Sequence, residues 1–163
     1  MAITIREFQK ADTKAVQDFT ERAFEPIFAS FKNILGDKIF ERVFPDWRTL
    51  QRGHVTNFYA DENAILRVAT VDDTPAGFIV YTINQETKMG VVEFLVVDPA
   101  YQGRGIGTQL NEYAFEQLRE AGMEIVEVST GGDESHAPAR RLYEKVGYVG
   151  IPNVYYYKSL LDE

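Results

Sequence analysis

Three glycines, Gly103, Gly105 and Gly107, stand at alternate positions between Gln102 and Thr108, with Arg104 and Ile106 interleaved. Glycine lets the main chain approach a ligand with no side chain in the way. Where such a run opens a helix, the first helical N–H groups are unpaired and the dipole favours negative charge. The chemistry open to these residues is the cradling of a phosphate or pyrophosphate by backbone. A steric turn would use the same glycines, but a strand before the run and a helix after it favour the cradle. A Walker loop would need Lys and then Ser or Thr after the second glycine, and Ile106-Gly107 supplies neither. A dinucleotide fingerprint would need a third glycine where Thr108 stands, and its turn would follow the first strand of a repeated βαβ unit.

The elements that position this run follow from hydrophobic periodicity. Upstream lies Val91 to Val97, an apolar strand with one charge, Glu93. Downstream, Ile106, Leu110, Ala114, Leu118 and Ala121 share one helical face. Asn111, Glu112, Glu116, Arg119 and Glu120 fall on the others, and Gly122 ends the helix. Ile125 to Thr130 then reads as a strand parallel to its predecessor, because a helix crosses between them. After the loop Gly131 to Glu134, Ser135 caps a helix whose apolar face is Ala139, Leu142, Tyr143 and Val146, with Pro138 in its first turn and Gly147 as its stop. Tyr148 to Ile151 and Val154 to Ser159 read as two closing strands.

The first part of the chain is less regular. Ile3 and Ile5 mark a short strand, Asp12 an N-cap, and Ala15, Val16, Phe19 and Ala23 a helical face that Pro26 interrupts or restarts. Ile39 to Phe44 has helical spacing, Pro45 breaks it, and Trp47, Leu50, His54 and Phe58 resume it. Ala64 to Val71 and Ala76 to Ile83 are strands joined by Asp72 to Pro75, and with Val91 to Val97 they form an antiparallel meander. Gly77 marks a bulge or a close approach.

Composition bounds the function. With 163 residues, 45% of them hydrophobic and 13% aromatic, the chain suits one mixed α/β domain over residues 1–163. No apolar run nears the ~20 residues that span a bilayer. Met1 to Arg6 lacks a signal-peptide pattern, so a cytoplasmic location is expected. Without cysteine there are no disulfides, thiolate metal ligands or cysteine nucleophile, and two histidines are too few for a metal site. The net charge of −8 argues against nucleic acid as a partner and suits a cationic acceptor or simple solubility.

Gln102-Gly103-Arg104-Gly105-Ile106-Gly107, with Val96 to Tyr101 before it, resembles the signature of the GNAT superfamily of acyl-CoA-dependent N-acyltransferases. Ala139, Leu142, Tyr143, Gly147 and Tyr148 resemble that superfamily's second CoA motif, and His136 stands at its usual Asn position. The resemblance covers about the last hundred residues. It implies a mixed, mostly antiparallel sheet with a parallel pair at the CoA site and helices on both faces. It implies acetyl-CoA as co-substrate, no metal, an amine acceptor and no membrane, and it leaves a homodimer open. Gln102, Gly103, Arg104, Gly105, Ile106, Gly107 and Thr108 would hold the pyrophosphate. The main chain of Phe94, Leu95, Val96 and Val97 would pair with the pantetheine arm, and His136 and Ala139 would flank it.

Transfer to an amine also needs a neutral nucleophile and a protonated leaving thiolate. Tyr143 is the candidate acid, since a phenol near pKa 10 is protonated at pH 7; otherwise it is a packed tyrosine. Glu93 is either a structural carboxylate or the base for the incoming ammonium. By alternation it shares a face with Val91, Leu95 and Val97. Ser129 and Thr130 could bond the acceptor, and Arg104 could add charge near the phosphates or be a solvated loop arginine. Phe28, Phe31, Trp47 and His54 would line the acceptor wall or belong to the core. The expected activity is acetylation of a small primary amine. A protein N-terminus or lysine as acceptor, and a non-catalytic acyl-CoA sensor, are the competing functions.

Overall fold

The computed structural model describes residues 2–161. Five strands, β1 (Ile3–Glu7), β2 (Ile65–Val71), β3 (Thr74–Asn84), β4 (Met89–Val97) and β5 (Ile125–Val128), form one sheet in sequential order. The first four are antiparallel and β5 runs parallel to β4, as the crossover helix requires. A two-residue turn joins β2 to β3, with Asp72 and Asp73 both left-handed at φ 48° and 68°. Their twist matches that of the flanking strands, and short polar side chains tolerate the conformation.

Alternation divides the sheet's side chains between two helical layers. Ala69, Ile79, Tyr81 and Val92 pack against Ile106, Leu110, Ala114 and Leu118 of helix α4 (Ile106–Glu120). On the other face, Val68, Phe78, Val80 and Val96 meet Val16 and Phe19 of α1 (Thr13–Leu35) and Val55 of α3 (Trp47–Ala60). Helix α2 (Asp37–Val43) joins these through an aromatic cluster of Phe28, Phe40 and Trp47. Gly77 marks a close approach, since a Cβ there would meet Ile106 at 2.8 Å and Leu110 at 3.0 Å. No helix among the described residues is long and apolar enough to cross a membrane.

Four local expectations are corrected. Helix α1 runs unbroken through Pro26, whose side chain is exposed. The carbonyl that loses its partner there is that of exposed Arg22, where water can replace the missing N–H. Asp12 precedes α1 but makes no side-chain cap. Its buried carboxylate accepts from both Arg6 guanidinium nitrogens, at 2.8 and 2.9 Å, and that pairing holds it below the usual carboxylate range. Asn111 is fully buried rather than on a polar face, and its Nδ2 donates to the Gly107 carbonyl at 2.9 Å. Finally, the two closing strands do not form: residues 149–160 lie outside any helix or strand and have no ladder partner.

Candidate functional site

The site begins where β4 parts from β5. The parallel ladder pairs Met89 with Ile125, Gly90 with Val126, Val91 with Glu127 and Val92 with Val128, and ends there. Strand β5 stops at Val128, two residues short of expectation, so Ser129 and Thr130 lie beyond the ladder. From Glu93 to Val97, β4 keeps β3 on one side and, among the described residues, has no strand on the other. Glu93 is also the extra residue of a bulge, because Phe94 opposes Val80 while Val92 opposes Tyr81. The bulge overturns the simple alternation count. Val92, Leu95 and Val97 share the α4 face, Phe94 and Val96 share the α1 face, and Glu93 is set apart from both core clusters. Its side chain is exposed, and its Oε1 accepts from the Thr82 hydroxyl at 3.0 Å.

The open stretch of β4 leads directly into the glycine run. Asp98 ends the strand and caps the turn Pro99–Tyr101, accepting from the Ala100 N–H and from Arg22 of α1, both at 3.0 Å. Gln102 Nε2 donates back to the Val97 carbonyl at 3.4 Å. Gly103 and Gly105 are left-handed, at φ 79° and 80°, and the space beside each is open to 4 Å. Gly107 has a different reason to be glycine: a Cβ there would sit 2.9 Å from Leu142 of helix α5 (Ala137–Lys145). Gly105 caps α4, whose first intrahelical bond runs from Gln109 N–H to the Gly105 carbonyl. The amides of Ile106, Gly107 and Thr108 thus face outward without helical acceptors. The Ile106 side chain is core, so only its backbone can serve a ligand. The Arg104 guanidinium lies 5.1 Å from the centre of the Tyr101 ring.

Helix α5 supplies the other wall. Burial pushes the Tyr143 hydroxyl up to about 12, and its ring packs edge-on against Tyr148 at 5.5 Å. The Tyr148 hydroxyl is itself buried without a partner. His136 Nδ1 is engaged by the Asp133 carboxylate, so Nε2 is the nitrogen left for a ligand. The same carboxylate accepts from the hydroxyls of Ser135 and Ser30, which ties the start of α5 to α1. Burial works against ionised Asp133, but the hydrogen bonds from Ser135, His136 and Ser30 prevail and hold it well below the usual range. Asp133, not Ser135, caps the turn Glu134–His136 that precedes α5. Arg140 fixes the same loop with 2.7 Å bonds to the carbonyls of Gly131 and Asp133. Sequence reasoning missed Asp133 and Arg140; the available signal was an Asp two residues before a Ser at a helix start. Ala139 is half-buried on α5.

The aromatic candidates divide by burial. Phe28 and Trp47 stack at 4.6 Å inside the core. Phe31 stacks on His136 at 5.7 Å, and His54 lies 6.0 Å from the ring of Phe94, the first residue after the bulge. Burial pushes the His54 imidazole down, favouring its neutral form. Phe31 and His54 are half-buried, unlike Phe28 and Trp47.

Comparison with known proteins agrees with this geometry. Over 107 residues the chain is 31% identical to an aminoalkylphosphonate N-acetyltransferase of Salmonella typhimurium (strain LT2), covering 63% of this chain and 68% of that protein. An uncharacterized N-acetyltransferase of Methanocaldococcus jannaschii is 27% identical over 150 residues, or 89% of this chain and 60% of the relative. The fold resembles that of the PaiA N-acetyltransferase from Thermoplasma acidophilum, solved in complex with coenzyme A. That likeness has a TM-score of 0.68 at 17% identity and covers 90% of this chain and 89% of the other. Residues 28–148, which include the open β4 edge, the glycine run and α5, match the acetyltransferase (GNAT) family. The chain belongs to the GNAT family of acetyl-CoA-dependent acetyltransferases.

Proposed function

We propose that this chain moves the acetyl group of acetyl-CoA to the primary amine of a small molecule by direct attack on the thioester. The observation that carries the proposal is the open β4 edge, Glu93 to Val97, leading through one turn, Pro99–Tyr101, into a glycine-lined helix N-terminus. Those residues fit the co-substrate: the strand edge offers backbone pairing to an extended amide-bearing arm, and the outward amides of residues 106–108 suit its pyrophosphate. Bound acetyl-CoA supplies a thioester-activated acetyl group.

The chain's own groups do the rest. A backbone N–H of the open β4 stretch polarises the reacting carbonyl. Glu93, exposed at the bulge, takes the acceptor's extra proton through water. Tyr143 steadies the departing thiolate. With its hydroxyl pushed up to about 12, it does so by donating a hydrogen bond. Full proton transfer to a thiolate of pKa about 8.5 is uphill by roughly 10³-fold. His54, neutral and beside Phe94, together with Phe31, lines the acceptor end.

A small acceptor is supported by the name of the Salmonella relative, an aminoalkylphosphonate N-acetyltransferase. The test measures thiol release from acetyl-CoA against aminoalkylphosphonates, aminoglycosides, polyamines and peptides with free N-termini. Turnover with a small amine supports the proposal. Turnover with peptides alone makes the chain a protein acetyltransferase, and coenzyme A binding without turnover on any acceptor makes it a sensor.

A further inference from the structure

His136 is held more firmly than a contact to a ligand requires. The Asp133 carboxylate engages its Nδ1, Phe31 of α1 stacks on one ring face, and a Cβ at Gly131 would collide with Nδ1 and Cε1. The carboxylate is itself fixed by the hydroxyls of Ser30 and Ser135. An asparagine, the residue usual at this position of the family, could donate or accept a hydrogen bond without that support. What the support adds is a defined tautomer. Ionised Asp133 accepts the Nδ1 proton, so the neutral ring presents a lone pair at Nε2, and an imidazolium would have its charge balanced. The other groups packed there leave that pairing alone. Helix α1 brings uncharged Phe31 and Ser30, and α5 brings Arg140, whose guanidinium bonds the carbonyls of Gly131 and Asp133.

The ring also stands where a proton must move. Along α1, Phe24 stacks on Phe94 of β4 at 5.7 Å, and Phe28 links Phe24 to Phe31 through ring contacts of 6.2 and 5.6 Å. One aromatic row thus leads from the open β4 edge to His136 at the start of α5, the two walls of the acyl site. An ammonium acceptor loses two protons on becoming an amide, and the leaving thiolate takes up one. Glu93 removes the first. Tyr143 hydrogen-bonds the thiolate without giving up its proton, so the second transfer still needs a carrier.

We propose that His136 is that carrier, a role that rests on the acetyl transfer proposed above. As the amine nitrogen bonds to the acetyl carbon, Nε2 takes a proton from that nitrogen. As the C–S bond breaks and its electron pair goes to sulfur, the imidazolium gives the proton to sulfur. The products are the amide and the coenzyme A thiol, and His136 ends neutral. An imidazolium protonates a thiolate downhill, whereas a phenol does so uphill. Asp133 is then a positioning residue, which acts by holding the tautomer of His136.

The test compares wild type with His136→Asn, which keeps a hydrogen-bonding side chain and removes the titration. Single-turnover transfer by wild type is measured first. Transfer to none of the acceptors would remove the acetyl-transfer reading and this role with it. Where wild type transfers, the variant should bind coenzyme A within about threefold of wild type and transfer about 100-fold more slowly at pH 8. The ratio of the two rates isolates His136, because titration of the acceptor and of Glu93 is common to both. It should shrink as the pH falls to 5, since a protonated imidazole cannot act as a base. A ratio near one throughout, a large ratio that is flat from pH 5 to 8, or a slowing explained by lost coenzyme A affinity overturns the role and leaves acetyl transfer standing. The wild-type chain gives a second test, whether or not the variant folds. In ¹⁵N-histidine NMR, with the two histidines assigned through His54→Gln, neutral His136 should carry its proton on Nδ1. A proton on Nε2 overturns the role.

Discussion

The inner edge of β4 beyond Glu93 and the outer edge of β5 both present backbone with no strand beside it, yet their surroundings differ. At β4, the edge runs into two left-handed glycines and the outward amides of α4, and a core isoleucine contributes backbone alone. At β5, the edge is flanked by a groove lined in part by Phe115, Leu118, Met123 and Val149. An unpaired strand edge therefore does not specify its partner. Polar backbone donors beside it suit a small anionic ligand, and hydrophobic surface beside it suits apolar burial.

The strongest way to break this contrast is Gly105→Val. A β-branched residue is strained at φ 80°, so the first turn of α4 should be displaced and calorimetry should show coenzyme A affinity reduced at least 100-fold. Arg104→Ala should cost tenfold or less in the same titration, since backbone and not one exposed side chain holds the ligand. Normal binding by Gly105→Val would remove the cradle from the β4 side of the comparison.

Tyr143→Phe comes next. It keeps the ring against Tyr148 and removes the hydroxyl, so coenzyme A affinity should hold while single-turnover transfer slows about 10- to 100-fold. Transfer at the wild-type rate would leave Tyr143 a packing residue. Glu93→Gln should lower kcat/KM about tenfold at pH 7 and less at pH 9.5, where a free amine of pKa about 10 is already partly neutral. A pH-independent loss would assign Glu93 to holding Thr82 and the bulge.

The smallest effect concerns His54. Its folded pKa is depressed by burial, so the unfolded chain takes up a proton that the folded chain resists. The neutral imidazole is accommodated above about pH 6.5, and stability falls as the pH drops through that value towards the folded pKa. Urea midpoints at pH 7.5 and 5.5 should therefore converge in His54→Gln relative to wild type. An equal acid loss in both proteins would show that His54 is not the group concerned.

Much of this site could be read from local pattern, because strand, glycine run, helix and parallel strand are each encoded within a few residues. The glycine turn, the α4 apolar face and the crossover to β5 all appear where periodicity places them. What escaped depends on partners distant in sequence. Pro26 is tolerated because it and Arg22 are exposed in the folded chain, where water can serve the freed carbonyl, and no local rule at Pro26 reveals that exposure. The bulge at Glu93 shifts every later residue of β4 to the opposite face, and Phe94 to Val97 are apolar enough to suit either register. Residues 149–160 have the composition of strands, but composition does not say whose sheet they join.

The Ser30 to Asp133 hydrogen bond joins residues 103 apart in sequence. On a growing polypeptide, α1 is complete long before Asp133 has been synthesised, and until then nothing can clamp it to α5. Helices α1 and α5 thus come together only after Asp133 has been made, as a non-local step of folding. A chain released before that point would hold most of the sheet and no closed site.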